Sequence, residues 1–99
     1  MQRGGTVYII TNIHHTVLYT GVTSDLVTRI QEHREIKNIK SFSARYNVTK
    51  LVYYKSFSTI EDAIAEEKRI KAGNREQKIK LIQSINAKWK DLWEEISKW

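Results

Sequence analysis

The sequence predicts an α+β domain, a small and largely antiparallel three-stranded sheet flanked by helices. Three observations lead there. Two β-branched and aromatic runs open the chain with only a polar turn between them; a third follows residue 50; and elsewhere apolar residues recur three and four apart, a helical period. With 99 residues, 40% apolar and 28% charged, the chain suits one domain over 1–99 with a modest core at about 6–86. It has no proline to interrupt the elements, and no cysteine to supply a disulfide, a thiolate nucleophile or a cysteine zinc site. No apolar run approaches the roughly twenty residues of a membrane helix. The first residues also lack a signal peptide's apolar core, so a cytoplasmic protein is expected.

Thr6–Thr11 and Thr16–Val22 read as a hairpin across Asn12-Ile13-His14-His15. If Thr11 closes opposite Thr16, Tyr8 faces Tyr19 directly and both rings share one side of the sheet. Thr23 or Ser24 caps a helix with Asp25 in its first turn, a stripe of Leu26, Val27 and Ile30, and an end near Glu35. Arg29 and His33, four apart, project together at the edge of that stripe. The stretch from Ile36 to Lys50 has too little periodicity to assign. Leu51–Ser56 is the third strand. Ser58 or Thr59 caps the next helix, with Glu61 and Asp62 in its first turn, where the helix dipole favours them. Its apolar face is Ile60, Ala63, Ile64 and Ile70, and at about 100° per residue Glu67 falls inside that face, aimed at the core. Gly73 ends this helix. Arg75–Ile85 forms another with Ile79, Ile82 and Ile85 inward, and Asn86 follows one turn past Ile82. Trp89, Leu92, Trp93, Ile96 and Trp99 have helical spacing and predict an amphipathic, tryptophan-rich helix over 88–98.

Seventeen Lys and Arg against eleven Asp and Glu leave a net charge of +6, which favours a polyanionic partner, nucleic acid above all. The charge clusters. Residues 34–55 hold Arg34, Lys37, Lys40, Arg45, Lys50 and Lys55 against Glu35, and residues 68–80 hold Lys68, Arg69, Lys71, Arg75, Lys78 and Lys80 against Glu76. Lys37, Lys40, Arg45, Lys71, Arg75 and Lys78 are the candidate nucleic-acid contacts; a merely solvated surface is the plainer reading. Tyr8 and Tyr19 are either an aromatic cross-strand pair or part of a site. Glu67 is either half of a buried ion pair with Arg29 or Lys71, or the one carboxylate of a Mg²⁺ or Mn²⁺ site completed by waters and phosphate oxygens. His14 and His15 read as loop residues, and the terminal tryptophans as core packing.

The order and spacing of these residues resemble the GIY-YIG nuclease superfamily, in particular its small single-domain members related to the N-terminal catalytic domain of the UvrC excision-repair subunit. Thr6-Val7-Tyr8 and Tyr19-Thr20-Gly21 carry the name motif with ten residues between the tyrosines. Thr6 and Val7 replace its Gly and Ile. Val22 to His33 matches the block with the helix Arg and His, Glu67-Lys-Arg-Ile-Lys71 the block with the Glu, and Asn86 follows Leu81-Ile82 where the family places its Asn. The resemblance implies a metal-dependent endonuclease, acting on DNA in repair or recombination, with one divalent ion, Mg²⁺ or Mn²⁺, at Glu67. Tyr8 would then activate the water, Tyr19 orient the phosphate, Arg29 stabilise its charge with help from His33, and Asn86 hold the site or the substrate backbone. A tyrosine base must lose about three pKa units, roughly 4 kcal/mol, which a dication and a guanidinium nearby can supply. Two alternatives stay open: a non-catalytic nucleic-acid-binding module, and an adaptor that recruits a repair protein through the C-terminal helix. A protein partner that chooses the substrate is compatible with all three.

Overall fold

Strands β1 (Gly5–Thr11), β2 (Leu18–Thr23) and β3 (Lys50–Phe57) form one sheet in the order β2-β1-β3, antiparallel throughout. The computed structural model describes residues 4–35 and 47–99. Every residue of β1 is buried, as expected of a central strand covered on both faces. Its alternation sends Tyr8 and Ile10 to one side and Val7 and Ile9 to the other, so the sheet separates two cores.

On the first side Leu26 and Ile30 of helix α1 (Leu26–Glu35) pack on Tyr8, Ile10 and Leu51, together with Leu92 and Ile96 from the chain's end. On the second, Ala63 and Ile70 of α2 (Ile60–Ala72) and Ile82 of α3 (Arg75–Ile85) cover Val7, Ile9 and Val52. A bulge between β1 and β3 pairs Ile9 with Tyr53 and Ile10 with Leu51, skipping Val52, which turns Val52 and Tyr53 toward the same core. Gly5 permits the close approach of α2, because a Cβ there would lie 2.6 Å from Ile60 Cδ1 and 2.8 Å from Ala63 Cβ. No helix among the described residues is long and apolar enough to cross a membrane.

The hairpin forms, but its register differs from the expected one by two residues. Thr11 pairs with Leu18, and Tyr8 stands opposite Gly21 instead of Tyr19. Asn12 explains the longer turn: its Oδ1 accepts from the backbone N–H of Thr16 (2.8 Å) and of Val17 (3.1 Å), while His15 adopts a left-handed φ of 57°. A two-residue shift preserves faces, so Tyr8 and Tyr19 still share one. Helix α1 is capped by Asp25, whose Oδ1 accepts from Thr28 N–H, while Thr23 Oγ1 accepts from Asp25 N–H one step earlier. Thr59 caps α2 as expected, Gly73 ends it, and Asn74 with Gln77 forms a capping box at α3.

The largest departure is at the C-terminus, where the helix expected over 88–98 shrinks to α4 (Trp93–Ile96). Trp89 takes a left-handed φ of 55° and the chain turns back along β3. Leu92 N–H donates to the Leu51 carbonyl at 2.8 Å, and Asp91 Oδ1 accepts from Leu51 N–H at 3.2 Å. These bonds cover backbone at the edge of β3, and a continuous helix could not make them. The tryptophan stripe is thereby divided: Trp89 stacks on His15 (4.5 Å between ring centroids) beside the second core, while Trp93 packs against the first. The single amphipathic tryptophan face expected of one helix is therefore split between the two sides of the sheet. Asn86 anchors the turn, its Nδ2 donating to the carbonyls of Val52 (3.1 Å) and Lys90 (2.8 Å) and its Oδ1 accepting from Lys90 N–H (2.9 Å).

Asn86→Ala should leave these backbone groups without their side-chain partner and cost about 2–4 kcal/mol. We expect the melting temperature to fall by on the order of 10 °C or more, and a drop under about 2 °C would show that the tether is dispensable.

Candidate active site

Tyr8 occupies the middle of the central strand with its ring on the α1 side. Its cross-strand neighbours are Gly21 on β2 and Tyr54 on β3. Gly21 is what makes room for it, since a Cβ there would lie 2.4 Å from Tyr8 Oη and 2.5 Å from Cζ. The phenol thus lies across the glycine. Tyr19, two residues before Gly21 on β2, comes to Tyr8 on the diagonal with ring centroids 6.4 Å apart. Helix α1 closes the group: Ile30 is buried against the sheet, and His33, three residues on, brings its ring to 5.9 Å from both tyrosines. His33 Nε2 lies 3.2 Å from Tyr8 Oη. Arg29, one turn earlier, is half exposed and 3.4 Å from Glu32.

Burial pushes the Tyr8 phenol well above the ordinary tyrosine range, Tyr19 and Glu67 push it the same way, and the Arg29 guanidinium opposes them without prevailing. The Arg29 guanidinium by itself does not lower this pKa, because desolvating a phenolate costs more than one half-exposed guanidinium returns. His33 is lowered, chiefly by burial and then by Arg29. At neutral pH the Tyr8–His33 contact joins a phenol to a neutral imidazole. When the ring proton sits on Nδ1, Nε2 is free to accept from Tyr8.

Glu67 belongs to the opposite layer, on the stripe of α2 that faces the sheet between buried Ala63 and Ile70. Its side chain is only 14% exposed, and its charge is nonetheless felt at the Tyr8 hydroxyl. Lys71, four residues on, places Nζ 2.7 Å from Glu67 Oε2. No group of three or more His, Cys, Asp or Glu that could hold a metal occurs among the described residues. The donor set is one shielded carboxylate on a rigid helix. That suits a hard divalent cation whose other positions are filled by water and phosphate oxygens, and does not suit zinc.

The remaining candidates among the described residues have other partners. Asn86 bonds the backbone of Val52 on β3 and of Lys90, and so holds the chain end. Arg75 donates to the His15 carbonyl and Lys78 to the Gly73 carbonyl, both at 2.6 Å. Lys37, Lys40 and Arg45 lie outside the described residues. Gly21 is the residue that reading the sequence left out of the site. Its signal was present in the motif ending Tyr19-Thr20-Gly21, and only the register shows which ring it accommodates.

Residues 4–80 match the family model described as the GIY-YIG catalytic domain. The chain is similar to the UPF0213 protein of Staphylococcus haemolyticus, 39% identical over 66 residues that cover 67% of this chain and 79% of that one. A UPF0213 protein of Pediococcus pentosaceus is 35% identical over 67% of this chain and 68% of its own; one of Haloquadratum walsbyi is 36% identical over 67% and 73%. No solved structure matches the chain significantly. The family match takes in Tyr8, Tyr19, Arg29, His33 and Glu67 and stops before Asn86.

Gly21→Ala should displace the Tyr8 ring, break its contact with His33 and cost about 1–3 kcal/mol by overpacking. In an NMR titration the His33 pKa should then move back toward its ordinary value as water reaches the ring; an unmoved titration would show that the glycine does not hold the pair. Because the folded-state pKa of His33 lies below the unfolded value, the stability it contributes is complete above about pH 6.5 and is lost as pH falls through the lowered folded value. Melting curves between pH 7.5 and 5 should show this loss, and His33→Gln should blunt it.

Proposed function

From a chain that belongs to the GIY-YIG catalytic domain family, a family of nucleases, we propose a metal-dependent endonuclease that hydrolyses phosphodiester bonds, with DNA as the polymer and a cytoplasmic repair or recombination reaction as its setting. The observation that carries this reading is the Tyr8–His33 contact of 3.2 Å inside a triangle of rings, with the Arg29 charge felt at both groups. A shielded phenol beside a neutral imidazole is a route for a proton: the attacking water gives its proton to Tyr8 as Tyr8 gives its own to His33. Such a relay requires no free phenolate, which the raised Tyr8 pKa disfavours. As the water oxygen bonds to phosphorus, the bond to the leaving oxygen breaks, and Arg29 faces the charge that gathers on the phosphate. Tyr19, on the same face, orients that phosphate. Glu67 is the residue that would hold Mg²⁺ or Mn²⁺; when bound, the ion supplies positive charge for the phosphate oxygens and the leaving group.

A panel of labelled DNA structures, incubated with Mg²⁺, Mn²⁺ or EDTA, tests the assignment. Cleavage is expected with either ion and none with EDTA. Tyr8→Phe should lower the rate by about 10² to 10⁴ while leaving DNA affinity near wild type. Glu67→Gln should abolish cleavage with binding retained. Bound DNA left uncut in every condition would favour the binding module, which the Glu67–Lys71 ion pair also suits. Affinity should fall with salt by about 0.9 log unit per log unit for each phosphate neutralised on duplex DNA, and Arg75→Glu with Lys78→Glu should flatten that slope.

A further inference from the structure

Glu66 and Glu67 are neighbours on α2, and each is paired with a cation a helical turn further on, yet the two pairs differ in kind. Arg69 grips Glu66 with two nitrogens, Nε to Oε1 at 2.8 Å and Nη2 to Oε2 at 2.5 Å, a fork in which both carboxylate oxygens are engaged. Lys71 meets Glu67 through a single ammonium. The Glu66 carboxyl is held below its ordinary range by its fork and is felt at Tyr53; Glu67 is felt at Tyr8. Only the Glu67 pair bears on the tyrosine group. Both carboxylates are shielded and both cations exposed, 15% against 66% in the Glu66 pair and 14% against 52% in the Glu67 pair, so it is the number of contact points that separates them. A carboxylate so shielded is costly to leave without a counter-ion. A half-exposed lysine on a four-carbon stem can swing into water at small cost and carries its charge with it.

We propose that Lys71 is a resident counter-ion that exchanges: it neutralises Glu67 in the free protein and passes to a backbone phosphate of the nucleic acid when Glu67 takes a divalent cation. This rests on reading Glu67 as the cation's carboxylate. Ammonium and dication cannot share the carboxylate at close range without strong repulsion, so Lys71 must leave for the cation to settle. Having left, it stays tethered one helical turn away as an unpaired positive charge, where a phosphate is its natural partner. Metal and nucleic acid therefore bind with positive coupling, each improving the other's affinity by the same factor. In the free protein the cation must compete with the lysine, which keeps the metal-loaded form scarce until substrate is present.

The probe is Mn²⁺ alone, titrated calorimetrically into the full chain without DNA. We expect Lys71→Met, and equally Lys71→Gln, to bind Mn²⁺ about three- to tenfold more tightly than wild type, Glu67→Gln to lose the site, and Glu66→Gln to leave it unchanged. A second titration in the Tyr8→Phe background, with a short DNA duplex present, should show Mn²⁺ binding tightened by the duplex, and tightened less once Lys71→Met is added. Melting curves of the variants check that each is folded. Glu67-dependent Mn²⁺ binding that is indifferent to both Lys71 substitutions overturns the exchange while leaving the metal reading intact. Mn²⁺ binding indifferent to Glu67→Gln overturns both.

Discussion

The domain depends on burying β1 from both sides. A three-stranded sheet has one interior strand, and here that strand supplies residues alternately to the two cores, with Val7 and Ile9 under α2 and α3 and Tyr8 and Ile10 under α1. Covering both faces of so small a sheet requires three layers from a short chain. The C-terminal segment meets that need by crossing the edge of β3, placing Trp89 in one layer and Leu92, Trp93 and Ile96 in the other. The apolar spacing that suggested one helix instead serves two cores.

Burial on this scale constrains the polar groups in it. Tyr8 is almost wholly buried, and its hydroxyl needs a partner inside the fold; His33 provides one, and α1 is placed so that it can. The same burial raises the phenol and lowers the imidazole, holding both neutral at physiological pH. One contact meets this packing requirement, and the proposed proton route rests on the same contact. Gly21 belongs to this arrangement as much as the aromatic residues do, because the ring can lie flat across β2 only where there is no side chain.

Charge on the other layer follows a related logic. A carboxylate on the sheet-facing stripe of a helix is tolerable only with a counter-ion, and Lys71 is the one within reach along the helix. The neighbouring Arg69–Glu66 fork shows what a fixed pair looks like on the same helix. The contrast between a two-point and a one-point cation is what the proposed exchange of partners at Glu67 rests on.

What the sequence determined by itself was whatever depends on local period and local chemistry. The three strands, α1 to α3, the caps at Thr59 and Gly73, the shared face of Tyr8 and Tyr19, the pairing of Arg29 with His33 on one helix edge and the inward aim of Glu67 all follow from residue spacing and type. What only the tertiary structure decided was whatever depends on contacts between segments far apart in the chain. Asn12 lengthened the turn and moved the register by two, so that Gly21, and not Tyr19, stands opposite Tyr8. Asn86 and Asp91 bound backbone on β3 and Lys90, which tied Asn86 to the chain end and ended the expected terminal helix before it began. The sign of the Tyr8 pKa shift was decided in the same way. Proximity to a guanidinium can be read along a helix, but the desolvation that outweighs it exists only once α1 has closed over the sheet.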